Sequence, residues 1–230
     1  MENLIEYMPL LLSGALVTIT LALFSLVLAT VLGALGATGK LSGGIIAKSI
    51  VGVYTTLVRG VPDLVLILLI YFGGQRLLNI VGNWFDADYI ELSKFWAGVG
   101  AIGFIYGAYL TETFRGAYMT IPPGQIDAAK ALGMRPISVL RTVTIPQLIS
   151  FALPGYANVW QVLIKSTAVV SIIGLEDLVG LANDAGKSVR EPFIFFAFVF
   201  CMYLLFTFIS QNIFMYAERK YALKGHDDAV

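Results

Sequence analysis

The sequence predicts an all-α integral membrane protein, a single domain over residues 1–230 carried by five membrane-spanning helices. Three observations predict it. Apolar residues make up 58% of the chain and charged residues only 13%, with a mean hydropathy of +0.82, outside the range of soluble globular domains. The apolar residues form long continuous runs, each matching the ~20 residues a helix needs to cross ~30 Å of hydrocarbon. Strands of a membrane barrel would instead alternate over ~10 residues. Charges lie mainly between the runs and cancel, 15 Lys and Arg against 15 Asp and Glu, so the overall balance points to neither nucleic acid nor an acidic partner.

The first span is expected over about 10–36. It follows an acidic start, Glu2 and Glu6, where a cleaved secretory signal would carry positive charge and a shorter apolar core, so the span is expected to stay in the mature chain. The second, about 49–72, contains Pro62; the third, about 95–118, contains Gly103 and Gly107. These two glycines, like Gly33, Gly36 and Gly39 in and after the first span, allow helices to approach closely, and packing within the chain is expected ahead of a subunit interface. The fourth span covers about 151–175, after a polar connection over about 120–150, and the fifth covers about 192–216. Cys201, the only cysteine, sits in that last run as a small packed thiol with nothing nearby to activate it.

Lys and Arg in the connections orient the chain. Eight basic residues, Lys40, Lys48, Lys130, Arg135, Arg141, Arg219, Lys220 and Lys224, follow spans one, three and five. Four, Arg76, Lys94, Lys187 and Arg190, fall at the other ends. The first group is expected to be cytoplasmic, with the N-terminus outside and the C-terminus inside. Most acidic residues, among them Asp86, Glu176 and Asp184, then lie outside.

The connection over 120–150 carries the most specific signal. It reads Pro122-Pro123-Gly124-Gln125-Ile126-Asp127-Ala128-Ala129-Lys130-Ala131-Leu132-Gly133, then Val143-Thr144-Ile145-Pro146. Turn formers, an acid for a first helical turn, a run of strong helix formers and a terminating glycine predict a short helix from Asp127 to Gly133. Such a helix is too short to be stable alone and needs a surface to dock on.

This pattern resembles the EAA loop of bacterial ABC importer permeases, with Asp in place of the first Glu and the later Ile-x-Leu-Pro element present as Val143 to Pro146. Three further stretches, Tyr54 to Pro62, Tyr109 to Gly116 and Trp160 to Thr167, narrow the resemblance to the polar amino-acid branch, the histidine, lysine, arginine, ornithine, octopine and nopaline permeases. The resemblance implies the type I importer architecture in a bacterial cytoplasmic membrane. It implies ATPase coupling through Asp127, Ala128, Ala129 and Gly133, and transport of polar, cationic amino acids. It also implies a sister permease, two ATPase subunits inside and an amino-acid-binding protein outside. No cofactor is expected on this chain; ATP and Mg belong to the partner ATPase subunits.

Five charges fall within spans, where each costs ~2.5–3.5 kcal/mol and calls for a partner or a task. Arg59 and Asp63 are four apart, Glu112 and Arg115 three apart, and Lys165 stands in span four. Both close pairs suit neutralisation along one helix. Against this, Asp63 lies ~21 Å from the start of its span at ~1.5 Å per residue, and Pro62 breaks the helix beside it. Transporters place substrate at such breaks. Asp63 is therefore the candidate for a cationic side chain, and many similar permeases carry an apolar residue there. Glu112 is the candidate for the substrate α-ammonium, with the Arg115 pair as alternative. Arg59 or the backbone amides around Pro62 would take the α-carboxylate. Ser166 and Thr167 would add hydroxyl hydrogen bonds, or simply pack.

Other readings are set aside on residues. The stretch Leu181 to Ser188 lacks the first glycine of a phosphate loop. His226, the only histidine, stands near Asp227 and Asp228 without the other ligands of a metal site, and no Ser-His-acid set exists for a hydrolase. The remaining alternative is a self-contained secondary transporter or channel, for which five spans are few.

Overall fold

Apolar runs, proline breaks and glycine stops divide the chain into helices throughout. The computed structural model describes residues 2–85 and 88–222, among which there is no strand. Asp86, Lys224, His226, Asp227 and Asp228 lie outside them. In order the helices are α1 Glu2–Glu6, α2 Met8–Ser42, α3 Ile45–Gly60, α4 Asp63–Asn83, α5 Lys94–Thr120, α6 Pro123–Ala131 and α7 Pro136–Val139. A π-helical turn, Leu140–Thr144, leads into α8 Ile145–Val170; a 3-10 turn follows, then α9 Leu178–Ser188 and α10 Pro192–Tyr221.

Four stretches are long and apolar enough to cross a membrane: α2, α4, the stretch Pro136–Ile173 that includes α8, and α10. The sequence reading expected five. Helix α5 is not among the four because its 27 residues dilute the apolar ones with glycines, tyrosines and charges. It is nonetheless the axis of the bundle. Helix α2 packs along it, and α3, α4 and α8 pack around it. Ile102, Ile105 and Leu110 of α5 are fully buried, joined in the core by Leu21, Leu163 and Phe195. Glycines set the α2–α5 spacing: a Cβ on Gly33 would lie 2.6 Å from Leu110 Cβ, and one on Gly103 2.6 Å from Leu28 Cδ2. These small-residue faces thus serve packing within the chain.

Three expectations change. The second span is two helices, because Val61 and Pro62 adopt extended backbone between α3 and α4, and α4 runs on to Asn83 through Gly73 and Gly74. The loop helix starts at Pro123 rather than Asp127. Proline's fixed φ and missing donor suit the first helical position, which leaves Asp127 in the second turn. The polar connection after span four contains α9, which takes in the whole stretch Leu181 to Ser188 and packs on α2 and α10.

Helix α9 is fixed by its first residues. Asp177 caps it, accepting from the Gly180 N–H at 2.9 Å, while the Leu178 N–H donates to Thr18 Oγ1 at 3.1 Å. Asp177 is fully buried and its Oδ2 has no hydrogen-bond partner among the described residues. Burial pushes its carboxyl up to about 6, against the backbone donors that lower it.

Candidate functional site

The break at Pro62 places Asp63 in the first turn of α4, facing α5 and α8. Tyr106 of α5, only 2% exposed, donates its hydroxyl to Asp63 Oδ2 at 2.8 Å, and Ser166 Oγ of α8 donates to the same oxygen at 3.3 Å. The two hydroxyls also touch each other at 2.5 Å. Both hydroxyls therefore meet one oxygen of a half-buried carboxylate, and Asp63 Oδ1 stays free among the described residues. No cation pairs with Asp63 among the described residues.

The Arg59–Asp63 neighbour pair, the alternative to a cation-binding role for Asp63, does not form among the described residues. Spacing of four brings side chains together only along an unbroken helix, and the extended residues at 61 and 62 remove that register. The Arg59 guanidinium instead lies 5.3 Å from the centre of the Tyr109 ring, a cation–π contact. Tyr109 stacks on Tyr106 with ring centres 5.5 Å apart and an interplanar angle of 27°. An aromatic pair thus separates the Asp63 station from the next one.

At that second station Glu112 accepts from Arg115 Nε at 2.9 Å, the same-helix pair that the sequence offered as an alternative. It also accepts from Lys40 Nζ of α2 at 2.5 Å, and Lys40 in turn donates to Thr55 at 2.7 Å. A cleft of about 450 Å³ opens here, lined by Lys40, Thr55, Thr56, Arg59, Tyr109 and Glu112, with Gly60 at its edge. Thr167 does not join either station. It is fully buried, donates to the Ile164 carbonyl at 2.7 Å and meets Tyr203 Oη at 3.1 Å, because one residue along a helix turns the side chain ~100° away from Ser166.

Tyr106, Tyr109 and Lys40 were missed in the sequence. The tyrosines had a signal: positions 106, 109 and 112–113 share one face of α5, so aromatic rings were spaced to line up with Glu112. Lys40 had none, since a lysine at the end of a span reads as an orientation charge.

The loop helix forms a separate surface. Gly133 adopts φ +78°, a left-handed conformation that disfavours side chains, and closes α6 with two bonds, Gly133 N–H to the Lys130 carbonyl at 2.9 Å and Met134 N–H to the Ala129 carbonyl at 3.2 Å. Ala129 is buried against the chain's own α7 and π-helical turn, whereas Ala128, Asp127 and Leu132, the last 83% exposed, face outward. Only one of the two alanines is therefore free for close seating. Asp127 and Lys130 approach to 3.6 Å, both well exposed.

Comparison with known proteins follows the same lines. Residues 29–222 match the family described as the inner membrane component of binding-protein-dependent transport systems. The chain is 48% identical over 213 residues, 93% of both chains, to the histidine/lysine/arginine/ornithine transport system permease protein HisQ of Escherichia coli (strain K12). It is 42% identical to the nopaline transport system permease protein NocQ of Agrobacterium fabrum, covering 92% of this chain and 90% of that one. Among solved structures, an amino acid ABC transporter crystallised with histidines superposes with a TM-score of 0.79 at 31% identity, over 94% of this chain and 96% of that one. The inward-facing methionine transporter MetNI, at 20% identity and a TM-score of 0.74, shares the fold. The chain belongs to the family of inner membrane components of binding-protein-dependent transport systems.

Proposed function

We propose that this chain is the permease subunit of an ATP-driven importer of polar, cationic amino acids in a bacterial cytoplasmic membrane. The observation that carries the reading is a carboxylate at a helix break, Asp63, held by two hydroxyls and, among the described residues, by no cation. Its free oxygen suits a guanidinium or ammonium. Relatives named for histidine, lysine, arginine and ornithine, or for nopaline, support that cargo class. Glu112 receives the substrate α-ammonium in exchange for Lys40, Arg59 receives the α-carboxylate, and Ser166 hydrogen-bonds beside Asp63; Thr167 packs behind Ser166.

The chain crosses the membrane five times, as α2, the broken pair α3–α4, α5, α8 and α10, with its N-terminus outside. Two ATPase subunits bind the cytoplasmic side and carry the ATP and Mg, and an amino-acid-binding protein docks outside. A sister permease completes the membrane part. Helix α6, seated through Asp127, Ala128 and Gly133, with Ala129 anchoring it to its own chain, passes the motion of the ATPase to α7 and the π-helical turn. These continue into α8 and so reach Ser166.

Vesicle reconstitution with the ATPase subunits, binding protein and labelled arginine tests this. Uptake should require ATP, vanish with Asp63→Leu in an assembled complex, and lose its ATPase subunits with Gly133→Arg. Concentrative uptake by this chain alone, or undiminished arginine uptake by Asp63→Leu, would reject it.

A further inference from the structure

A cavity of about 540 Å³ lies where α2, α5, the π-helical turn and α8 converge, and neither Asp63 nor Glu112 lines it. Helix α2 supplies Thr30, Ala34, Ala37 and Thr38, which share one face of that helix, and α8 supplies a matching face that includes Ile149 and Ala152. The alanines at 34, 37 and 152 leave room that larger side chains would fill.

The room persists because its walls are held apart. At one end Tyr156 acts as a strut, bonded to Thr30 at 2.9 Å and stacked on Phe114 with ring centres 6.2 Å apart. At the other end the lining residues Leu140 and Thr144 belong to the π-helical turn, and Pro154 interrupts α8 one residue past the lining residue Leu153. Both features bend a helix away from straight packing.

The lining does not suit water. It is almost wholly apolar, and its hydroxyls are largely spent: Thr30 and Tyr156 bond each other, while Thr38 and Ser42 donate to the Leu35 and Thr38 carbonyls of their own helix at 2.8 Å. Apolar cavities of this kind stay dry and take apolar guests, and one of ~150 Å³ holds a benzene ring. This cavity is roughly three and a half times larger, which corresponds to about the carbon count of one acyl chain. Lipid tails are at hand, since α2 and the stretch Pro136–Ile173 are apolar enough to cross a membrane and the lining residues Ala34 and Ile149 are exposed. The charge beside the lining suits a phosphate. Arg141 directly follows Leu140, is exposed and enters no ion pair among the described residues.

We infer that the cavity holds one acyl chain of a membrane phospholipid, its phosphate beside Arg141, as a fixed packing element between α2 and the π-helical turn. The hydrocarbon makes the contacts that the alanines leave unmade and supports α8 where its helical bonding is weakest.

The test uses the transporter complex purified from its host membrane and reconstituted with phosphatidylethanolamine carrying a diazirine on one acyl chain. On illumination, adducts should concentrate on peptides covering 30–42 and 140–156, about fivefold above those of α10, whose Phe193 and Phe200 are 84% and 64% exposed. Ala34→Trp, which fills the cavity from an exposed position, should remove that excess and leave the labelling of α10 unchanged, and Ala34→Leu should about halve it. After a detergent wash, native mass measurement should find one phospholipid fewer per copy of this chain in Ala34→Trp than in the unaltered complex. Labelling no denser than on α10, as when another polypeptide covers the cavity, would overturn the site. So would labelling that neither substitution diminishes, or a retained guest whose mass is not that of a phospholipid.

Discussion

Asp63 and Glu112 are two carboxylates at α5, one bonded to it and one carried by it, and their surroundings are opposite. Glu112 is saturated, with Lys40 at 2.5 Å and Arg115 at 2.9 Å. Asp63 is held by Tyr106 and Ser166, neutral donors that steady a negative charge without cancelling it. The difference teaches that charge within a span is no guide to role by itself. A carboxylate compensated by fixed cations contributes to the bundle and can take a mobile cation only by giving one of them up, whereas one held by hydroxyls keeps its attraction for a mobile cation.

The sharpest break of this contrast is a double dissociation. Asp63→Asn should lower arginine uptake at least 100-fold while the complex melts at its usual temperature in detergent. Glu112→Gln should do more to stability, because it leaves Lys40 and Arg115 facing a neutral group. The expected loss is ~2 kcal/mol, below the ~3–5 kcal/mol of a fully buried pair, since the Lys40 and Glu112 side chains keep 18% and 19% exposure. If both variants lose stability alike, the contrast fails.

A finer test concerns the hydroxyls. Tyr106→Phe removes the shorter of the two bonds to Asp63, and a hydrogen bond to a charged group contributes ~1.5 kcal/mol. Half-saturation for arginine should rise ~10-fold with little change in maximal rate. An unchanged half-saturation would mean that Ser166 alone holds the carboxylate.

The smallest expected effect involves a third carboxylate, Asp177, which is buried like neither of the others. Its pKa, raised from 3.8 to about 6, favours the protonated form in the folded chain. The stabilisation is fully present below the unfolded value and is lost as pH rises through about 6. Asp177→Asn keeps a capping side chain and removes the charge. Thermal stability near pH 7.5 should rise modestly, and its decline between pH 4 and 6 should flatten; an unaltered pH profile would assign the dependence elsewhere.

Much of this was legible from the sequence. Continuous apolar runs marked α2, α8 and α10, Pro62 marked the break, and Gly133 marked the end of the loop helix. Helix α9 was hidden because Asn183, Asp184, Gly186 and Lys187 give it the composition of a connection, and only packing on α2 and α10 makes it a helix. Helix α5 was expected as a span from its length, yet its glycines and tyrosines, Gly98, Gly103, Gly107 and Tyr106 among them buried, lower its apolar character while enclosing it in the bundle. At the site, Asp63, Ser166 and Glu112 were found as types that need partners. The partners themselves came from other helices, and a spacing rule along one helix cannot reach Tyr106 from Asp63 or Lys40 from Glu112.

The interruption at Val61 and Pro62 has an electrostatic consequence. A helix carries about half a positive charge at its start and half a negative charge at its end. Arg59 occupies the last turn of α3 and Asp63 the first turn of α4, so each ion faces the helix terminus of opposite sign. Two macrodipoles laid end to end thus compensate both ions separately, and neither has to bind the other to remain in the bilayer.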